Sequence, residues 1–395
     1  MSRRRIDVAE RRARLVVRHR HAAAARTDDV VAITDGLVAL HSSDPVSVYL
    51  SATARMVHPD LAALDTALYD DRSLLRHHAM RRTLWVLGHD AARAAHHAAT
   101  TTIAAVQLRQ LLAMLEAGGV ANAGAWYADA AARIEQLLPA TGPLTAREVG
   151  AEFPELAVKV PVGTGTFATT QAAHTRVLLM MGFQGRVLRA RPTGTWINGQ
   201  YRYAATSAWF PDGFDAAGTG VREHAADLAR RWLRAFGPGL ATDLKWWARW
   251  TVAITERALA DVGAVEVELD GGTGYVLPDD VDPVGSAEPA AVLLPGLDPS
   301  TMGWKSRAFH LDPDHVPVLF DRNGNGGPAV WVDGRIVGGW TQRKDGTIAL
   351  RMLDDVGSEA TAAIEARAHA LEALLGGVRF TTRFPAPFQA ALPTP

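Results

Sequence analysis

Apolar and polar positions along this chain follow two periods, and the switch from one to the other recurs in a fixed order. The clearest stretch begins at Leu233 and reads LRAFGPGLATDLKWWARWTVAITERALADVGAVEVELDGGTGYVL. Apolar residues at helical spacing predict helices over 242–250 and 252–262, separated by one tight turn. A period-two run then predicts a strand at 265–269, a Gly-rich turn, and a second strand at 275–277. Two helices followed by a strand pair is the order of a winged helix, whose second helix normally lies against DNA.

The same order is read twice earlier. Helices are predicted over 11–21, 28–41 and 45–56, with Thr27 or Asp28 as a cap and Pro45 at a first helical position. A short helix of recognition size follows at 60–69, and MRRTLWVLG from Met80 alternates like a wing strand. Ala-rich helix is expected over 90–115, and a further helix over 126–138. The second copy opens on TGPLTAREVGAEFP, where Thr145 and Glu148 have capping-box spacing. A helix over 168–181 and a two-stranded wing in GRVLRARPTGTWINGQYRYA complete it. Residues 212–219 read as a linker, and a helix over 222–236 leads into the third copy.

From Ala291 the texture changes to short alternating runs, punctuated by Asn323-Gly324 and Asp333-Gly334. An amphipathic helix over 358–375 and a Pro-rich tail close the chain. The expected class is α+β: three tandem winged-helix modules followed by a C-terminal β-barrel-like domain. The expected boundaries are 1–115, 116–219, 220–289 and 290–395.

Composition narrows the partners. The 395 residues are 48% hydrophobic and 21% charged, the balance of a globular protein long enough for several cores. No apolar run approaches the length of a membrane span, so no membrane association is expected. The basic N-terminus lacks the apolar core of a signal peptide. Zero cysteines exclude disulfides and thiolate metal sites, and a cytoplasmic location fits. The net charge of −1 hides an asymmetry: residues 1–110 carry +5, and residues 221–395 carry −6. Phosphate contacts are therefore expected mainly from the N-terminal part.

Most familiar motifs fail. GTGTFA at Gly163 lacks the strand context and the downstream acid of a dinucleotide fingerprint, and reads as a loop. The histidine pairs His19/His21, His77/His78 and His96/His97 sit one or two apart, a spacing that turns neighbours away from one helical face. No metal site and no cofactor are expected. LVALHSSDPVSVYL is different, because His41, Ser43 and Asp44 cluster where one predicted helix ends and the next begins. Asp44 before Pro45 reads first as an N-cap. For His41 a structural and a functional role stand about even.

Taken together, LVALHSSDP, MRRTL, RRWLRAFGP with TDLKWW, and LLPGLDPSTMGWKSR with NGNGGPAVWVDGRIVGGW resemble the winged-helix AlkZ/YcaQ-like DNA glycosylases over nearly the whole chain. The resemblance implies a C-shaped fold around duplex DNA and excision of bulky alkylated purines. The family's catalytic triplet, Gln–apolar–Gln/Asp, falls on His41, Ser42 and Ser43. Neither Gln is present, and the carboxylate stands one place on, at Asp44.

A cationic N7-alkylpurine has an already weakened glycosidic bond, so a site must place a water and stabilise an oxocarbenium-like sugar. His41 is the expected base, Ser43 a hydrogen-bonding partner of the water, and Asp44 a negative charge toward the sugar. Expected DNA contacts are Arg55, Arg81 and Arg82 in the first module and Arg189 and Arg191 in the second wing. The chain is thus expected to act as a monomer on double-stranded DNA, as a monofunctional glycosylase. The competing reading is a non-catalytic DNA binder that keeps the fold, and a weaker third is a drug- or toxin-binding protein that keeps only the channel.

Overall fold

The computed structural model of the chain describes residues 3–163, 168–211, 213–214 and 220–391. Most of the glycine-rich loop from Gly163 and of the 212–219 linker lies outside the described residues. Helix–helix–hairpin order does recur. The first unit contains α1 (Val8–Arg18), α2 (Val30–Gly36), β1 (Leu40–His41), α3 (Pro45–Thr53) and α4 (Leu61–Asp65), then the hairpin β2 (Leu74–His78) and β3 (Leu84–Gly88). Its sheet runs in the order β1-β3-β2, so the short β1 adds to the hairpin's outer edge. Asp29, Asp44 and Asp60 each cap the helix that follows by accepting a backbone N–H, which fixes where α2, α3 and α4 begin.

Two helices, α5 (His89–Ala95) and α6 (Thr101–Ala117), join across a π-helical turn and lead to the second unit. That unit holds α7 (Ala123–Thr141), α8 (Ala146–Glu152), the ribbon β4 (Lys159–Val162) with β5 (Thr169–Ala172), α9 (Ala173–Phe183), and the hairpin β6 (Val187–Pro192) with β7 (Tyr201–Ala205). Thr145 and Glu148 form a reciprocal capping box on α8. The third unit is α10 (Val221–Phe236), β8 (Gly239–Leu240), α11 (Ala241–Ala248), α12 (Val252–Asp261), β9 (Val265–Leu269) and β10 (Gly272–Val276). Here α11 ends on Arg249 in the left-handed region, and Thr251 caps α12, which makes the tight turn between the two helices.

The C-terminal region corrects one expectation. Strands β11 (Ala291–Leu294), β12 (Ala329–Val332), β13 (Arg335–Gln342) and β14 (Ile348–Met352) form an open antiparallel meander in sequence order. Among the described residues no strand pairing closes it into a barrel. Two short helices, α13 (Pro299–Met302) and α14 (Val316–Leu319), fill the long β11–β12 connection. α15 (Gly357–Leu375) packs on one face of the sheet, and α16 (Pro387–Ala391) seats Phe388 beside Gly339 of β13.

One apolar core runs through the first unit, the third unit and the C-terminal region, from Leu15 through Trp85 and Trp232 to Trp331 and Phe388. The helices of the second unit enclose a core of their own around Ile134, Val177 and Met181. No helix among the described residues is long and apolar enough to cross a membrane.

Candidate active site and nucleic-acid interface

The His41–Asp44 segment leaves the sheet edge and enters α3. β1 pairs antiparallel with β3, setting His41 opposite Trp85, and Ser42 N–H continues the pairing by donating to Leu84 O at 2.8 Å. Neighbouring residues on a strand face opposite ways. His41 therefore lies on one side against the Trp85 indole, with ring centroids 4.5 Å apart, while Ser42 points to the other side. His41 is buried, and this burial, with the Arg81 charge adding to it, pushes its imidazole down to about 3. Its Nδ1 accepts the Ser43 backbone N–H at 3.4 Å, which places the ring proton on Nε2. His41 is thus a neutral ring with one nitrogen already engaged.

Ser42 is held from behind. Its Oγ accepts from Arg76 Nε at 3.1 Å, and Arg76 also donates to the Tyr69 hydroxyl and lies 4.8 Å from the Tyr201 ring. Arg76 is almost wholly buried, and among the described residues it has no carboxylate ion pair. Ser43 is the most exposed of the triplet residues. Asp44 caps α3 through Val46 N–H at 3.1 Å, and its second oxygen accepts from Arg383 N–H, also at 3.1 Å. Burial raises the Asp44 carboxyl, against the pull of those two N–H groups and the Arg383 charge.

Asp44 opens on a groove of about 950 Å³ between the second hairpin and the C-terminal region. Gln342, Arg343, Lys344 and Arg383 line it from the β13–β14 turn and the 379–390 tail. Among the described residues Asp44 is the one acid in the lining, and both its oxygens are engaged. Charge averaging hid this site, because it lies in the most acidic segment of the sequence. The local signal was the Arg343-Lys344 pair in a turn flanked by alternating strands.

On the His41 side the β2–β3 hairpin turns through Arg81 and Arg82, both with left-handed backbone, φ 58° and 62°. A hairpin turn with positive φ at both central positions usually takes Asn-Gly, so two arginines here hold strain of the kind found at functional sites. Arg82 is exposed. Arg81 folds inward onto Trp246, 4.4 Å from its ring, and its Nε and Nη2 are buried with no partner. Arg307 approaches the same indole at 5.3 Å. Lys245 and Arg249 belong to α11 and its C-cap, and the Lys305 backbone N–H donates to Asp243 of the same helix; among the described residues Arg81, Arg82, Lys245, Arg249, Lys305 and Arg307 have no ion-pair partner.

The other expected contacts are distributed differently. Arg55 is withdrawn from any surface: it is fully buried and grips Asp298 through two 2.8 Å bonds, with Ser300 Oγ, Ser51 O and His19 O completing its donors. It is a structural cation and not a phosphate ligand. Arg191 is exposed but bridges Asp65 at 2.8 Å and Asp70 at 3.1 Å, tying the second hairpin to α4. Arg189 lies half-buried over the Tyr203 ring at 4.0 Å. Among the described residues no group of three or more His, Asp or Glu could hold a metal ion.

Helical units that end in hairpins thus frame a polar strand-to-helix junction with cations on both sides. The model of the AlkZ-like DNA glycosylases matches residues 34–374, and the chain belongs to that family. Its fold is similar to that of Streptomyces sahachiroi DNA glycosylase AlkZ, with a TM-score of 0.71 at 17% identity, over 95% of this chain and 98% of that one. No curated protein sequence matches the chain.

Proposed function

We propose that this chain is a monofunctional DNA glycosylase that removes cationic or bulky alkylated purines from duplex DNA, acting as a monomer. The observation that carries the reading is the setting of Asp44, a carboxylate in the wall of an open groove edged with cations, with the half-buried Ser43 next to it in the chain. Family membership supports the same class of reaction. In this reading the three helix–helix–hairpin units are winged helices, and Arg82, Lys305, Arg343, Lys344 and Arg383 take phosphates on either side of the lesion.

The substrate's own positive charge drives departure of the base, so little acid–base help is required. Asp44 supplies negative charge toward the developing sugar cation, and Ser43 Oγ holds the incoming water. His41 acts as a neutral ring that fixes the Ser43 backbone, and it does not act as a proton acceptor of ordinary strength. The open groove, rather than a closed base-sized pocket, supports excision without rotating a bulky base out of the stack.

The test is incubation with duplex DNA carrying N7-alkylguanine, followed by alkali. Strand breaks at the lesion are the expected result. Tight binding of the same duplex with no breaks would instead establish the non-catalytic reading, which the absence of both glutamines and the burial of His41 favour.

A further inference from the structure

A small pocket of about 70 Å³, sharing no lining residue with the groove, lies between the end of α3, one face of α15 and the sheet strands β11 and β13. Leu50, Val292, Leu293, Trp340, Leu371 and Leu374 give it apolar walls, and Ala54 and Ala370 leave the space open. Its two charged lining residues, Arg26 and Arg367, are half-buried where it meets solvent.

The neutral polar groups of the lining are satisfied internally. Thr53 Oγ donates to Tyr49 O at 2.9 Å, and Trp340 Nε1 donates to Leu294 O at 2.8 Å. One of the two guanidinium groups is not. Arg26 spends Nη2 on His21 O at 3.2 Å, yet its Nε is buried without a partner. Arg367 has no ion pair among the described residues, and its neighbours three and four places along α15 are Ala363, Ile364, Ala370 and Leu371. Burial, followed by the like charge of Arg367, pulls the Arg26 guanidinium down to about 10. Two facing cations without an anion are unfavourable, and an apolar chamber beside them rejects a fully hydrated ion.

We propose that this pocket binds a short aliphatic carboxylate, with its tail in the chamber and its carboxylate between Arg26 and Arg367. The chamber is roughly half the ~150 Å³ that holds benzene in an engineered cavity, so it takes about four carbons and not a ring. An amine would add a third cation, and an alcohol would leave the charges unmatched. Leu50, the first α3 residue of the pocket wall, lies six residues past the Asp44 cap, about 9 Å at ~1.5 Å per residue, and the pocket and the groove share no lining residue, so the two sites do not overlap.

Calorimetric titration of the full chain with pentanoate, pentan-1-ol and pentylammonium tests this. Saturable binding of pentanoate is expected, at least about tenfold tighter than the alcohol, with none for the amine. Arg367→Gln should weaken pentanoate by about ten- to a hundredfold, the scale of one charge-assisted bond. Ala370→Leu, which fills the chamber, should abolish binding without lowering the melting temperature. The proposal is overturned by the absence of saturable pentanoate binding, by equal binding of pentylammonium, or by unchanged affinity in Arg367→Gln. None of these outcomes depends on whether the chain excises bases.

Discussion

The imidazole of His41 packs on the indole of Trp85 across paired strands, with ring centroids 4.5 Å apart. This packing removes water from the imidazole and leaves a histidine that stays neutral far below its ordinary range. Excision measured from pH 5 to 8 should therefore show no inflection near 6.5. His41→Phe should keep the packing on Trp85 but remove the Ser43 N–H acceptor, slowing excision by roughly tenfold or less at every pH. A wild-type profile that rises with a midpoint near 6.5 would restore His41 as a base.

Asp44 holds α3 with one oxygen and the 379–390 tail with the other. Asp44→Ala should cost about 1–3 kcal/mol, the range for losing a cap and leaving buried N–H groups unmatched. Asp44→Asn keeps one acceptor, enough for the Val46 N–H cap but not also for Arg383 N–H, and should recover only part of that stability. If Asp44 also faces the sugar, Asn should still lose excision. Urea melts and single-turnover rates on the two variants separate the roles, and full excision by Asn would confine Asp44 to capping.

Stability should fall steeply in mild acid. His19, His41 and His78 are held down to about 3, and His21, His77 and His310 well below their ordinary value, in each case chiefly by burial. The unfolded chain binds these protons below about 6.5 and the folded chain does not. Stability is thus fully present above that pH and is lost as pH drops toward 3. The slope is about 1.4 kcal/mol per pH unit for each ring. Denaturant midpoints that stay constant from pH 7 to 5 would contradict the burial of these rings.

Arg55 and the groove cations should separate cleanly. Arg55→Ala strands Asp298 as a buried charge and should cost about 3–5 kcal/mol while leaving the salt dependence of DNA binding unchanged. Joint replacement of Arg82, Arg343, Lys344 and Arg383 by Gln should leave stability nearly intact. It should flatten the log–log salt slope by about 0.9 for each phosphate no longer neutralised. An unchanged slope in that quadruple variant would take the duplex away from this surface.

What was legible in the sequence was local. The tight turn between α11 and α12 is read from helical spacing on either side of residue 251, and the start of α8 from Thr145 and Glu148. The direction of an arginine was not legible. Arg55 finds its carboxylate 243 residues away, and Arg81 finds an indole from a different unit. Whether a strand meander closes into a barrel is likewise decided by pairing at its two edges, and alternation within each strand is silent on that.

The second hairpin has one further consequence, because its faces are divided. Val187, Tyr203 and Ala205 point into the core of the second unit, and Leu188 and Ala204 into the large shared core. Period-two alternation here makes a party wall along Val187–Leu188 and Tyr203–Ala205, while Arg191 farther along β6 stays exposed. Loosening either room strips one face of the same ribbon and breaks the hydrogen bonds that the other face needs. The two cores should therefore give way in a single cooperative step, so that a calorimetric scan shows one peak where the count of cores alone suggests two.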